Sequence, residues 1–106
     1  MITMAQIRRF AEEVGRAFHP ERIVLFGSHA RGETTSDSDV DVLVVMPYRG
    51  KSWQAAVAIR QRISPEFPLD LLVRTPEQVR ERLAMGDPFL NEILREGEVL
   101  YEAPHG

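Results

Sequence analysis

The chain has 106 residues, 43% hydrophobic and 27% charged, the balance of a soluble globular domain with neither a collagenous nor a disordered bias. Thirteen basic residues against 16 acidic leave a formal charge of −3, so there is no basic footprint for non-specific nucleic-acid binding. Cysteine is absent, which excludes disulfides, thiolate nucleophiles and thiolate metal sites.

The opening MITMAQIRRFAEEVG carries Glu12 and Glu13 inside an amphipathic pattern instead of the apolar block of a signal peptide. Thr3 and Gln6 have the spacing of a capping box, and Ile7, Phe10, Ala11, Val14 and Phe18 recur at helical spacing behind them. His19-Pro20 ends this helix, because proline disfavours helical geometry in the residue before it. Residues 23–26 (IVLF) form a short apolar strand, stopped by Gly27, and a glycine-bracketed turn covers residues 27–32. After a polar loop a second strand spans residues 40–45, closed by Pro47 and Gly50. Ser52 is placed to cap a helix carrying Trp53, Ala56, Val57, Ala58, Ile59 and Ile63, with Trp53 expected to pack on the sheet. Pro65 and Pro68 delimit a third strand over residues 69–73. Thr75-Pro76-Glu77-Gln78 joins an N-cap, a first-turn proline and a capping-box glutamine, predicting a helix to about Met85. Asp87-Pro88 restarts a helix that Gly97 ends, and residues 98–101 follow as an edge strand. No segment has the apolar length to cross a bilayer. The reading is one cytoplasmic domain over residues 1–106, of α+β or layered α/β class, with a small mixed sheet and helices packed on it.

Residues 36–41, SDSDVD, place three carboxylates at the mouth of an apolar strand. Side chains alternate along a strand, so Asp39 and Asp41 project to one side while Val40, Val42 and Val44 project to the other. Asp70 interrupts PLDLLV on the face opposite Leu69, Leu71 and Val73. Should the two strands be neighbours, Asp70 completes a three-carboxylate site whose hard oxygens suit Mg²⁺ or Mn²⁺ rather than zinc. Turn chemistry accounts for Asp37 by itself. Asp41 lies within an apolar strand, where an uncompensated charge is costly. An EF-hand is excluded, because its sixth and twelfth positions would be Val42 and Tyr48 where Gly and Glu are required. Gly27 allows close backbone approach, Ser28 offers a hydroxyl, and backbone amides at such a turn can cradle phosphate oxygens. The turn lacks the lysine of a Walker loop. His19, His29 and His105 are not spaced as ligands and read as surface residues.

Gly27-Ser28-His29-Ala30-Arg31-Gly32, five residues, then Ser38-Asp39-Val40-Asp41 resembles the signature of the polymerase-beta-like nucleotidyltransferases, in particular their minimal single-domain branch. Asp70 falls where that family would have its third acid, and FLNEILREGEVLY is similar to its closing helix and strand. The resemblance implies transfer of a nucleoside monophosphate, AMP from ATP, to an acceptor hydroxyl. It implies two divalent ions on Asp39, Asp41 and Asp70, with Asp70 also activating the acceptor and Ser28 and the Gly27 amide on the outer phosphates. Arg31 would neutralise phosphate or brace the acidic loop, two roles arginine fills equally well. Small members of that branch act with a helical partner of the higher eukaryotes and prokaryotes nucleotide-binding (HEPN) type as antitoxin and toxin, which implies a tyrosine acceptor on such a partner. The rivals are a non-catalytic antitoxin that neutralises its partner by association, and an enzyme for a small molecule such as an aminoglycoside. Homo- or hetero-oligomers are compatible with all three.

Overall fold

The computed structural model describes residues 2–34 and 38–104. Asp37 and His105 lie outside them. Helix α1 (Met4–Phe18) begins at the expected capping box: Gln6 N–H donates to Thr3 Oγ1 and Thr3 N–H to Gln6 Oε1. It ends at His19, which takes a left-handed conformation (φ 51°) ahead of Pro20. Strand β1 (Arg22–Phe26) leads into a four-residue helix α2 (Ser28–Arg31), so the glycine-bracketed turn is one helical turn instead of a plain loop. Gly27 carbonyl accepts from Ala30 and Arg31 N–H, which closes it. Strand β2 (Val40–Val45), helix α3 (Ser52–Arg62) and strand β3 (Leu69–Arg74) form a strand-helix-strand crossover.

Helix α4 (Pro76–Ala84) starts at Thr75 with the capping box to Gln78 in place. Helix α5 (Pro88–Glu96) starts at Asp87, whose Oδ1 accepts from Phe89 and Leu90 N–H. Those two bonds favour the charged form, and the Leu90 N–H contributes most to holding the Asp87 carboxyl below its ordinary value. Strand β4 (Glu98–Glu102) closes the chain at an edge of the sheet, where it was expected.

The sheet order is β3-β2-β1-β4, with β2 and β3 parallel and the other two pairs antiparallel. Alternation sorts its side chains into two cores. Ile23, Leu25, Val40, Val42, Val44, Leu69, Leu71 and Val73 pack under α1 and α3, while Val24, Leu43 and Val45 pack under α4 and α5 with Val79, Leu90 and Ile93. Each such buried Val, Leu or Ile contributes about 1.5–3 kcal/mol relative to exposure.

Two expectations for α3 fail. Ser52 is the first helical residue, not the cap; its hydroxyl donates to the Val73 carbonyl at 2.8 Å and accepts from Arg74, tying the helix start to β3. Trp53 does not pack on the sheet but is 62% exposed, because the helix turns Ile59 inward and positions 53 and 57 fall on its outer side.

Candidate functional site

Asp41 and Asp70 come side by side where β2 and β3 begin. Asp41 pairs in register with Asp70 on the parallel neighbour, so their side chains leave the same face of the sheet, the face that α4 and α5 cover farther along. On its other side Asp41 pairs with Phe26. The Phe26 ring is met edge-on by Phe89 of α5, with centroids 5.9 Å apart, an apolar wall beside the strand position of Asp41. Asp39 lies one residue before β2, exposed.

The Asp41 carboxyl is raised above its ordinary 3.8, first by burial, then by the Asp70 and Asp39 charges, against smaller lowering by His29 and Arg31. The three acids thus share one electrostatic neighbourhood. Among the described residues no three acidic or imidazole groups are already spaced to hold a metal ion, so the acids border one face without closing on a single point. Among the described residues none of the Asp39, Asp41 and Asp70 carboxylates forms an ion pair. A half-buried carboxylate flanked by two others, all hard oxygen donors and none neutralised by a partner, fits a divalent cation of the Mg²⁺ type.

Gly27 presses on the same carboxylate. Its φ of 74° and ψ of −153° belong to a region essentially reserved for glycine, and a Cβ built there would run into Asp41 Oδ2. The turn that carries Ser28 is therefore seated directly against the acid. Ser28 is half-buried in α2. Arg31 pairs through Nε with Glu33 Oε2 at 3.2 Å, so the carboxylate it holds is outside the acid cluster, while its charge still reaches Asp41.

His29 was read as a surface residue, and here the structure differs: it is half-buried and its Nε2 lies 3.2 Å from the Ser38 carbonyl. That contact ties α2 to the residue just before Asp39. The one signal in the sequence was its place inside a turn bracketed by two glycines. Phe26 and Phe89 are the other contributors that sequence reasoning passed over, since a strand-end phenylalanine and an exposed helix-start phenylalanine meet only in three dimensions. A cleft of about 190 Å³ opens beside this wall, lined by Phe26, Gly27, Ala30, Arg31, Phe89 and Glu92. The larger concavity, about 830 Å³, lies among Tyr48, Ser52, Arg74, Gln78 and Arg82 at the other end of β2 and β3 and includes none of the acids.

The raised Asp41 carboxyl sets a pH dependence. Such a group binds its proton more tightly folded than unfolded, so its contribution to stability is fully present below the ordinary carboxylate value and is lost as pH rises through the interval up to the raised one. In chelator, thermal unfolding of the parent minus that of Asp41→Asn, followed from about pH 3 to about pH 7, is expected to fall across that interval and then flatten. A difference that rises with pH would show that Asp41 is stabilised as an anion.

Comparison with known proteins bears on the family and the fold. Residues 7–100 match the nucleotidyltransferase domain family. A Methanocaldococcus jannaschii protein named "putative protein adenylyltransferase" is 28% identical over 81 residues, which cover 76% of this chain and 78% of the relative. The crystal structure of a "putative nucleotidyltransferase" from Sulfolobus solfataricus shares the fold with a TM-score of 0.64 at 20% identity, over 93% of this chain and 79% of that one. No helix among the described residues is long and apolar enough to cross a membrane.

Proposed function

This chain belongs to the nucleotidyltransferase domain family, and on that premise we propose that it transfers AMP from ATP to a hydroxyl on a partner protein. The observation that carries the reading is the register of Asp41 beside Asp70, with the Gly27-Ser28 turn seated against Asp41. Acids, turn and family agree on one chemistry, and the name of the archaeal relative favours a protein as acceptor.

The chain's own groups have distinct tasks in this reading. Gly27 N–H and the Ser28 hydroxyl hold the outer phosphates, and Arg31 offsets their charge from the rim. Asp70, on the edge strand, accepts the proton of the acceptor hydroxyl as its oxygen attacks the α-phosphorus. The bond from that phosphorus to the bridging oxygen breaks, and pyrophosphate leaves on the Gly27 side. Phe26 and Phe89 set an apolar wall beside Asp41, which strengthens every charge interaction there. Asp39, Asp41 and Asp70 would hold two Mg²⁺ ions, which when bound stabilise the attacking and leaving oxygens. The acceptor is a tyrosine on a small helical protein of the HEPN type, and its modification silences that protein, so the chain acts as an antitoxin.

Incubation of the chain and the protein encoded beside it with each labelled nucleotide and Mg²⁺ tests this. Label should pass from ATP to a tyrosine of the neighbour; absence of labelled protein with every nucleotide would refute the reading. Binding should also depend on the cation, because a triphosphate and three carboxylates in one site repel. In calorimetry, ATP affinity is expected to drop at least about tenfold in chelator, roughly 1.4 kcal/mol. Equal affinity with and without Mg²⁺ would contradict a shared site.

A further inference from the structure

The outer side of α3 carries no charge along its middle. Ile59 is buried and Ala55 and Ala56 are half-buried on the inner side, whereas Trp53 is 62% and Val57 41% exposed. Residues 53 and 57 are neighbours on one helix face, and Gln54, Ala58 and Gln61 are exposed alongside them. A tryptophan and a valine offered together to water form the kind of patch that marks an interaction surface.

The rim of this patch is basic. Lys51, Arg60 and Arg62 are exposed, and the chain has no acidic residue between Asp41 and Glu66. None of the three forms an ion pair among the described residues. In a chain with an excess of acidic residues, this sector stands out by its sign.

We infer that the outer face of α3 docks the acceptor protein, through an apolar spot on that partner ringed by carboxylates; the inference rests on the reading above that the acceptor is a protein. Charge decides against a second copy of the chain. In a two-fold contact the patch meets its own image, and α3 would then bring Lys51 and Arg62 against like charges with no acid of its own to offset them, Arg60 being turned back to the Leu69 carbonyl. A nucleic acid would call for cations on the face itself, where α3 presents amides and apolar groups instead. Position favours the same occupant. Helix α3 packs on β3, which is an edge strand of the sheet, and Asp70 lies on that strand. Trp53 stands at the Val73 end of β3 and Arg60 at its Leu69 end, so a partner laid along α3 from Trp53 to Arg62 ends beside the start of β3 and has only that edge to round to meet Asp70.

The test uses the full chain with Trp53→Ser and Val57→Glu combined, two exposed positions whose change should leave thermal unfolding as in the parent. With the labelled acceptor from the experiment above as the probe, KM for the acceptor is expected to rise about tenfold or more, while KM for ATP and kcat at saturating acceptor stay at parental values. Arg62→Glu should raise the same KM most at low salt. An unchanged acceptor KM in the double variant overturns the docking face and leaves the transferase reading standing. A parent that labels no protein overturns the transferase reading, and docking is then decided by the fluorine resonance of fluorotryptophan at Trp53, the chain's one tryptophan, on titration with the protein encoded beside it. A resonance that moves on complex formation supports the face; an unmoved resonance, or no complex, overturns it. Binding of a labelled RNA that the double variant alone abolishes would overturn the protein occupant.

Discussion

Asp41→Asn is expected to abolish nucleotide transfer while making the metal-free protein more resistant to heat at neutral pH. Both effects come from one cause. Asp41 is half-buried against Phe26 and faces the charges of Asp70 and Asp39, which raise its pKa, so its ionised form is held at a cost in the fold. Asparagine has nearly the same shape and no charge, and removes that cost. It also removes the central donor for a divalent cation, whose charge stabilisation in a phosphoryl transfer is worth several kcal/mol. Transfer to the acceptor should fall by about a thousand-fold or more, on the order of 4 kcal/mol in the barrier. Differential scanning calorimetry in chelator beside a labelling assay with Mg²⁺ reads both quantities on one sample. A variant that labels its acceptor at the parental rate would remove Asp41 from the mechanism, and one that unfolds at a lower temperature would show that Asp41 is a structural anion. Asp37→Asn, chosen from the sequence register alone, should retain activity.

Gly27→Ala is expected to damage fold and site together, by a different route. The backbone at Gly27 lies where only glycine is comfortable, and holding another residue there costs about 1–3 kcal/mol. The added methyl would also collide with Asp41 Oδ2, so either the α2 turn lifts off the sheet or the carboxylate rotates away. Each outcome separates Ser28 from Asp41, and ATP affinity in Mg²⁺ should drop by about tenfold or more, roughly 1.4 kcal/mol. Gly32→Ala is the comparison: its φ is also positive, yet nothing lies within 4 Å of the added Cβ. That variant should lose stability but keep nucleotide binding. Equal ATP affinity in both variants would mean that the contact between Gly27 and Asp41 does not position the turn.

Much of the fold was legible before any coordinates, because local chemistry punctuates it. Thr3 with Gln6, Thr75 with Gln78 and Asp87 with Pro88 each supply the acceptors or the fixed φ that start a helix, and the structure places α1, α4 and α5 on them. Strand alternation likewise put Val40, Val42 and Val44 on the face opposite Asp41, and they are buried under α1 and α3. These are properties of neighbours a few residues apart, so one chain segment suffices to reveal them.

Other features needed contacts that no local pattern encodes. Asp41 and Asp70 are 29 positions apart, and which strand lies beside β2, and in which register, depends on how α3 crosses the sheet; only the paired strands set the two acids side by side. The link from His29 to Ser38 joins residues nine positions apart, and His29 sits on a helix too short to be read from periodicity. Trp53 shows the limit most plainly. Composition says that a tryptophan seeks burial, but whether it finds any depends on what covers the outer side of its helix, and here Ile59 takes the inner side. The sequence by itself therefore determined which residues share a face, since a side chain's direction follows from backbone period. The tertiary structure decided which faces meet, which are left to water, and hence where a half-buried carboxylate acquires two like neighbours, because those choices are set by packing between segments distant in the chain.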